Sequence, residues 1–146
     1  MGFMTRLLVC IAGCVWTALG AGFTLEEILN SAFPSEMTAA RSGGHVAWVE
    51  NARGVRNIRV ASPPGYQART LTAYSADDGQ ELSQLTFSPD GRTLLYVRGG
   101  AANRQGEIPN PTSDPAGTEQ AIWAIDLSGG APRKLADGSS PSISPK

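Results

Sequence analysis

LTFSPDGRTLLYV, Leu85 to Val97, is the stretch whose reading decides the fold. Two β-prone runs flank Ser88-Pro89-Asp90-Gly91. Proline pre-sets φ at the second position of a tight turn, and glycine follows where φ is free. The stretch therefore reads as strand, turn, strand. It also has a counterpart. MTAARSGGHVAWV, Met37 to Val49, aligns with it without a gap, 48 residues earlier. Gly43 falls on Gly91, Trp48 on Tyr96 and Val49 on Val97.

Repetition extends outward from this pair. NIRVASPPGYQARTLT (Asn57–Thr72) lies on AIWAIDLSGGAPRKLA (Ala121–Ala136), again without a gap. Ile58 meets Ile122, Gly65 meets Gly129, Arg69 meets Arg133 and Leu71 meets Leu135. PSISPK (Pro141–Lys146) starts a third copy, 56 residues after Leu85, with Ile143 on Phe87 and Ser144-Pro145 on Ser88-Pro89. The unit is four strands in about 50 residues, the period and content of a propeller blade. The expectation is an all-β fold: an incomplete β-propeller of two blades and the start of a third. Blade 1 is expected over 37–84 and blade 2 over 85–140, with a loop insertion at 98–120. Blade 3 is expected to start over 141–146. Closed propellers use roughly four to eight blades, so the reading expects a fragment of a longer array, cut inside the Ser144-Pro145-Lys146 turn. An ordinary β-sandwich with similar hairpins is the alternative.

The segments before the repeat carry different signals. Arg6 precedes an apolar run from Leu7 to Phe23, closed by the small residues Ala18, Gly20, Ala21 and Gly22. A basic start, an apolar core and a small-residue exit predict a secretory signal peptide over 1–22. Export to the periplasm or the extracellular space follows, with no stable membrane span. Ile11-Ala12-Gly13-Cys14 is also similar to a bacterial lipoprotein box, which would anchor the chain at Cys14; its apolar core would be very short. A leader helix is expected over 23–33. Thr24 can cap it with Glu27 at the capping-box spacing, and Pro34 limits its length. Leu25, Ile28 and Leu29 share one face, for docking elsewhere in the protein or for covering a sheet edge.

Composition excludes several classes. The 146 residues carry a formal net charge of -1, with no run of Lys or Arg, which offers no electrostatic footprint for nucleic acid. Both cysteines, Cys10 and Cys14, lie in the export segment. The mature chain then has no disulfide and no thiolate site.

LTFSPDGRTLLYVRGG (Leu85–Gly100) resembles the repeats of two propeller groups. One is the N-terminal propeller of the prolyl oligopeptidase and dipeptidyl-peptidase family; the other is the TolB-like periplasmic propeller. FTLEEIL (Phe23–Leu29) and IWAIDLSGGAPRKLA (Ile122–Ala136) are similar to segments of exported members of the peptidase group. That resemblance implies a scaffold that gates access to a following α/β-hydrolase domain with Ser, Asp and His, acting on short peptides. The propeller itself would hold no catalytic residue. The alternative is a TolB-like, non-catalytic module that binds a protein partner.

The residues present offer little chemistry of their own. The nucleophile elbow G-x-S-x-G is absent from the sequence. His45, the one histidine, reads as an exposed turn residue with no Ser or Asp placed by pattern to complete a triad. Asp77, Asp78, Glu81 and Asp90 read as solvated turn acids without calcium-loop spacing. Trp48, Tyr96 and Trp123 read as blade packing. Catalytic, metal and cofactor assignments are therefore none. The insertion Arg98–Gln120, with Pro109, Pro111 and Pro115, is the candidate contact loop for substrate or a missing domain.

Overall fold

The computed structural model describes residues 22–144. The predicted signal peptide, the lipoprotein alternative at Cys14 and the Pro145-Lys146 end of the third copy lie outside those residues, apart from Gly22.

The chain enters through a short helix, α1 (Leu25–Leu29). Thr24 caps it: its Oγ1 accepts from the Glu27 N–H at 3.1 Å, and its own N–H donates to the Glu27 carboxylate at 2.8 Å. The Thr24 N–H and the Thr24 hydroxyl both donate to the Glu27 carboxylate, which favours its charged form and holds the Glu27 carboxyl below its ordinary range. The helix ends at Asn30, shorter than the 23–33 expectation, because the backbone is extended again by Phe33. None of its residues is buried, so Leu25, Ile28 and Leu29 cover no edge among the described residues.

Eight strands follow: β1 (Phe33–Ala39), β2 (Val46–Ala52), β3 (Val55–Ala61), β4 (Arg69–Thr70), β5 (Leu82–Phe87), β6 (Thr93–Arg98), β7 (Ala121–Asp126) and β8 (Arg133–Asp137). They form two four-stranded antiparallel sheets, ordered β1-β2-β3-β4 and β5-β6-β7-β8. The all-β class holds. Each sheet is a simple antiparallel meander, with sequence neighbours paired as neighbours.

The ladders of the two sheets repeat pair for pair. Ser35↔Val49, Thr38↔Ala47 and Ala39↔Val46 in the first sheet become Ser83↔Val97, Thr86↔Leu95 and Phe87↔Leu94 in the second. Each first strand carries a bulge at the same place, between Ser35 and Thr38 and between Ser83 and Thr86. Glu36 and Gln84 sit in these bulges with φ of 54° and 53°. A bulge adds a residue and breaks the two-residue alternation. This explains why β1 starts four residues before Met37 and β5 three before Leu85.

Turn chemistry accounts for the hairpins. Arg53 and Gly54 join β2 to β3 with φ of 55° and 84°, the signs a type I′ turn needs. In the β5–β6 turn the Gly91 N–H donates to the Ser88 carbonyl at 2.9 Å, and Gly91 has φ of 72°. The fourth strand of sheet one is short because side chains take over its ladder. The Leu71 N–H still donates to the Ile58 carbonyl, but the Ile58 N–H donates to the Thr72 hydroxyl.

The core lies between the sheets. Ala47, Val49, Ile58, Val60 and Leu71 from the first pack with Leu82, Leu85, Leu94, Tyr96, Ile125 and Leu127 from the second. Cross-strand partners share a face, so Ala47↔Val60 and Val49↔Ile58 present one apolar surface toward sheet two. The matching residues of sheet two, Leu95, Val97, Ile122 and Ala124, form its opposite face, pointing away from sheet one.

Candidate functional site

Two polar clusters lie at the boundary between the sheets. The first is built by the segment leading from β4 to β5. Asn57 on β3 holds that segment: its side chain accepts from the Tyr74 N–H at 2.9 Å and donates to the Tyr74 carbonyl at 2.8 Å. The Tyr74 ring is thereby carried to β6, where its hydroxyl meets that of Tyr96 at 2.8 Å. The Arg98 guanidinium lies 4.8 Å from the Tyr74 ring centroid and is ion-paired with Asp78. Burial raises both tyrosine hydroxyls above their ordinary range. They therefore remain protonated, and the pair donates and accepts hydrogen bonds without supplying a base or a nucleophile.

The second cluster is at the other end of the boundary. His45 is half-buried rather than an exposed turn residue, because it stands one register step beyond the last β2–β3 pair, Val46↔Ala61. That step brings its Nδ1 to 2.8 Å from the Ser62 hydroxyl, a partner the sequence reading did not find. The register counted outward from the Arg53-Gly54 turn is the signal that contains it. A cleft of about 390 Å³ joins His45 to Gly91, Arg92, Asp126, Leu127 and Ser128 of the second sheet. A Cβ on Gly43 would stand 2.6 Å from His45 Nε2, so the turn backbone presses on that edge of the ring. Asp126 accepts from the Thr93 hydroxyl at 3.0 Å. Among the described residues no carboxylate hydrogen-bonds the ring, so the Ser62–His45 pair lacks the orienting third group of a catalytic triad.

The turn acids separate. Asp78 joins Arg98 and accepts from the Gln80 N–H at 2.9 Å. Asp90 stays in its own turn, accepting from Ser88 Oγ at 2.6 Å, and that bond keeps its carboxyl low. Asp77 lies beside Gly54, where an added Cβ would collide with its carboxylate. Glu81 lines a small cleft with Phe33, Ser35 and Arg56. Among the described residues no three His, Cys, Asp or Glu side chains converge as a metal site.

The aromatic residues do not converge on one platform. Tyr96 and Trp123 are cross-strand partners on the face turned toward sheet one, while Trp48 pairs with Arg59 on the far face of sheet one. The insertion forms a surface loop between Arg98 and Ala121, paired as strand neighbours at its base. Asn103 and Asn110 each fold a short turn by accepting backbone N–H groups. Its end is tied to β8, where Lys134 reaches Glu119 at 2.5 Å and Asp137 at 2.6 Å.

No helix of the described residues is long and apolar enough to cross a membrane. No protein-family model matches the chain. No curated protein matches it.

Proposed function

We propose that the two sheets are consecutive blades of a β-propeller that serves as the scaffold and substrate gate of an exported serine peptidase similar to the prolyl oligopeptidases. The observation that carries the propeller reading is the shared ladder. Pairings, bulges and left-handed φ values recur at the same positions of both sheets. One apolar face of each sheet is turned in the same sense along the array. What supports the peptidase is the resemblance of Phe23–Leu29, Leu85–Gly100 and Ile122–Ala136. What supports export is the Arg6–Gly22 pattern.

On this reading the chain positions and screens. The Tyr74–Tyr96 contact ties one blade to the next, and the nucleophile belongs to a following domain. A serine-directed fluorophosphonate probe tests the assignment. The product of the complete gene is expected to take one label and to cleave a short prolyl peptide, while residues 1–146 alone take none. A complete product that neither labels nor cleaves would replace the peptidase with a TolB-like binding propeller.

A further inference from the structure

Glu36 and Gln84 do more than fill their bulges. The Glu36 carboxylate reaches across to sheet two and accepts the Gln84 backbone N–H at 2.8 Å. The Gln84 side chain repeats the gesture: its Oε1 accepts the Ser140 backbone N–H at 2.6 Å. Ser140 has φ of 60°, beside 54° at Glu36 and 53° at Gln84. Among the described residues only these three show the chain of contacts, and each is a non-glycine residue in the left-handed region, which few side chains adopt without a structural reason. The spacing fits as well. Gln84 follows Glu36 by 48 residues, and Ser140 follows Gln84 by 56, the same 56 that separates Pro141 from Leu85. Ile143 then lines a cleft of about 370 Å³ together with Leu85, Phe87 and Thr38, alongside the first strands of both sheets.

We propose that positions 36, 84 and 140 are successive steps of one clasp, in which the side chain of each bulge residue pins the bulge of the following sheet. Gln84 is then the pin for the bulge that opens a third unit of the same repeat, beginning at Ser140. This rests on reading the two sheets as consecutive members of one array and adds how their register is set. The partner of Gln84 is the chain's own following segment, because the Ser140 N–H already takes the acceptor that a third bulge would need. The two acceptors are chemically different, a carboxylate at 36 and an amide at 84. What the clasp requires is therefore a side chain of Glu or Gln length ending in an sp² oxygen. A backbone N–H held in this way cannot slide by a residue without losing its partner, so the clasp fixes stagger between sheets that share no ladder.

Amide hydrogen exchange on the full chain reads the clasp directly. Gln84→Glu keeps an acceptor and is expected to keep Ser140 protected. Gln84→Met removes it at similar volume and is expected to lower Ser140 protection about five- to tenfold, as for one lost hydrogen bond. Gln84's own N–H should stay protected in both. If Gln84→Met disturbs the whole second sheet, the upstream step is read instead: Glu36→Met should expose the Gln84 amide and Glu36→Gln should not. Unchanged protection in both Met variants would overturn the clasp. Ser140 protection that falls as the chain is concentrated would mean that a second copy displaces the segment at Ser140 from Gln84, and would overturn the intrachain step. The readout uses amides of this chain alone, so a silent serine probe leaves it standing.

Discussion

Tyr74 and Tyr96 meet hydroxyl to hydroxyl at 2.8 Å, one on the segment leaving the first sheet and the other on the second strand of the second sheet. Tyr96 is fully buried, so its hydroxyl depends on this partner. Removing either hydroxyl strands the other. Tyr96→Phe is expected to cost about 1–2 kcal/mol in urea unfolding. The Tyr74→Phe, Tyr96→Phe double variant should lose less than the sum of the two single losses. Strict additivity would show that the hydroxyls are not coupled.

The same pair sets an alkaline limit. Burial raises both hydroxyls, so the folded chain holds their protons more tightly than the unfolded chain does. Their contribution is complete below the unfolded tyrosine range and declines as pH rises past about 10. Thermal melts between pH 8 and pH 11 should show falling stability, with a shallower fall in Tyr96→Phe.

Gly91 is expected to be the most sensitive turn glycine between the sheets. A Cβ there would stand 2.4 Å from the backbone oxygen of Ser42, which belongs to the first sheet's own turn. Gly91→Ala combines left-handed strain with this clash and should cost about 2–4 kcal/mol. Gly138→Ala has a positive φ but no atom near the new Cβ, and should cost about 1–2 kcal/mol. Equal losses in the two variants would show that the Ser42 contact contributes nothing.

Packing between the sheets predicts a contrast in core sensitivity. Leu94 is fully buried between them, whereas Met37 on β1 is 71% exposed. Leu94→Ala should destabilise by about 2–5 kcal/mol, and Met37→Ala by less than about 0.5 kcal/mol. Chemical denaturation of both variants checks this.

The insertion should be dispensable for folding. Arg98↔Ala121 at its base occupies the place of Glu50↔Asn57 in the first sheet. Replacing residues 99–120 with the first sheet's Asn51–Arg56 sequence therefore continues an existing register into a tight hairpin. It removes the exposed Lys134–Glu119 pair, a surface contact screened by solvent. Circular dichroism should show the same strand content and a cooperative melt. If the proposed peptidase activity survived this graft unchanged, the loop would have no part in substrate contact.

Much of this architecture was legible in the sequence because it is written as repetition. Trp48 on Tyr96 carries over into the ladders as equivalent positions, and Gly43 on Gly91 as turn glycines of positive φ. The bulges were not legible. Glu36 and Gln84 are polar residues whose left-handed φ leaves no mark in composition, and they interrupt the alternation from which strands are read. The polar links were hidden for a different reason. Ser62 is found only by counting from the Arg53-Gly54 turn, and Tyr74 reaches Tyr96 through a segment with no periodicity. The leader helix shows the opposite failure: its capping box was readable from Thr24 and Glu27, yet its apolar face has no partner among the described residues.

Placing the core between the sheets also constrains synthesis. As the polypeptide emerges from the ribosome, β1 to β4 can pair as soon as Thr70 is free, but Ala47, Val49, Ile58 and Val60 then face water on a single layer. They are covered only when Leu82 to Leu127 have followed. For more than fifty codons the newborn chain carries a bare apolar sheet, the interval in which a holdase would bind and in which a ribosomal pause would invite aggregation.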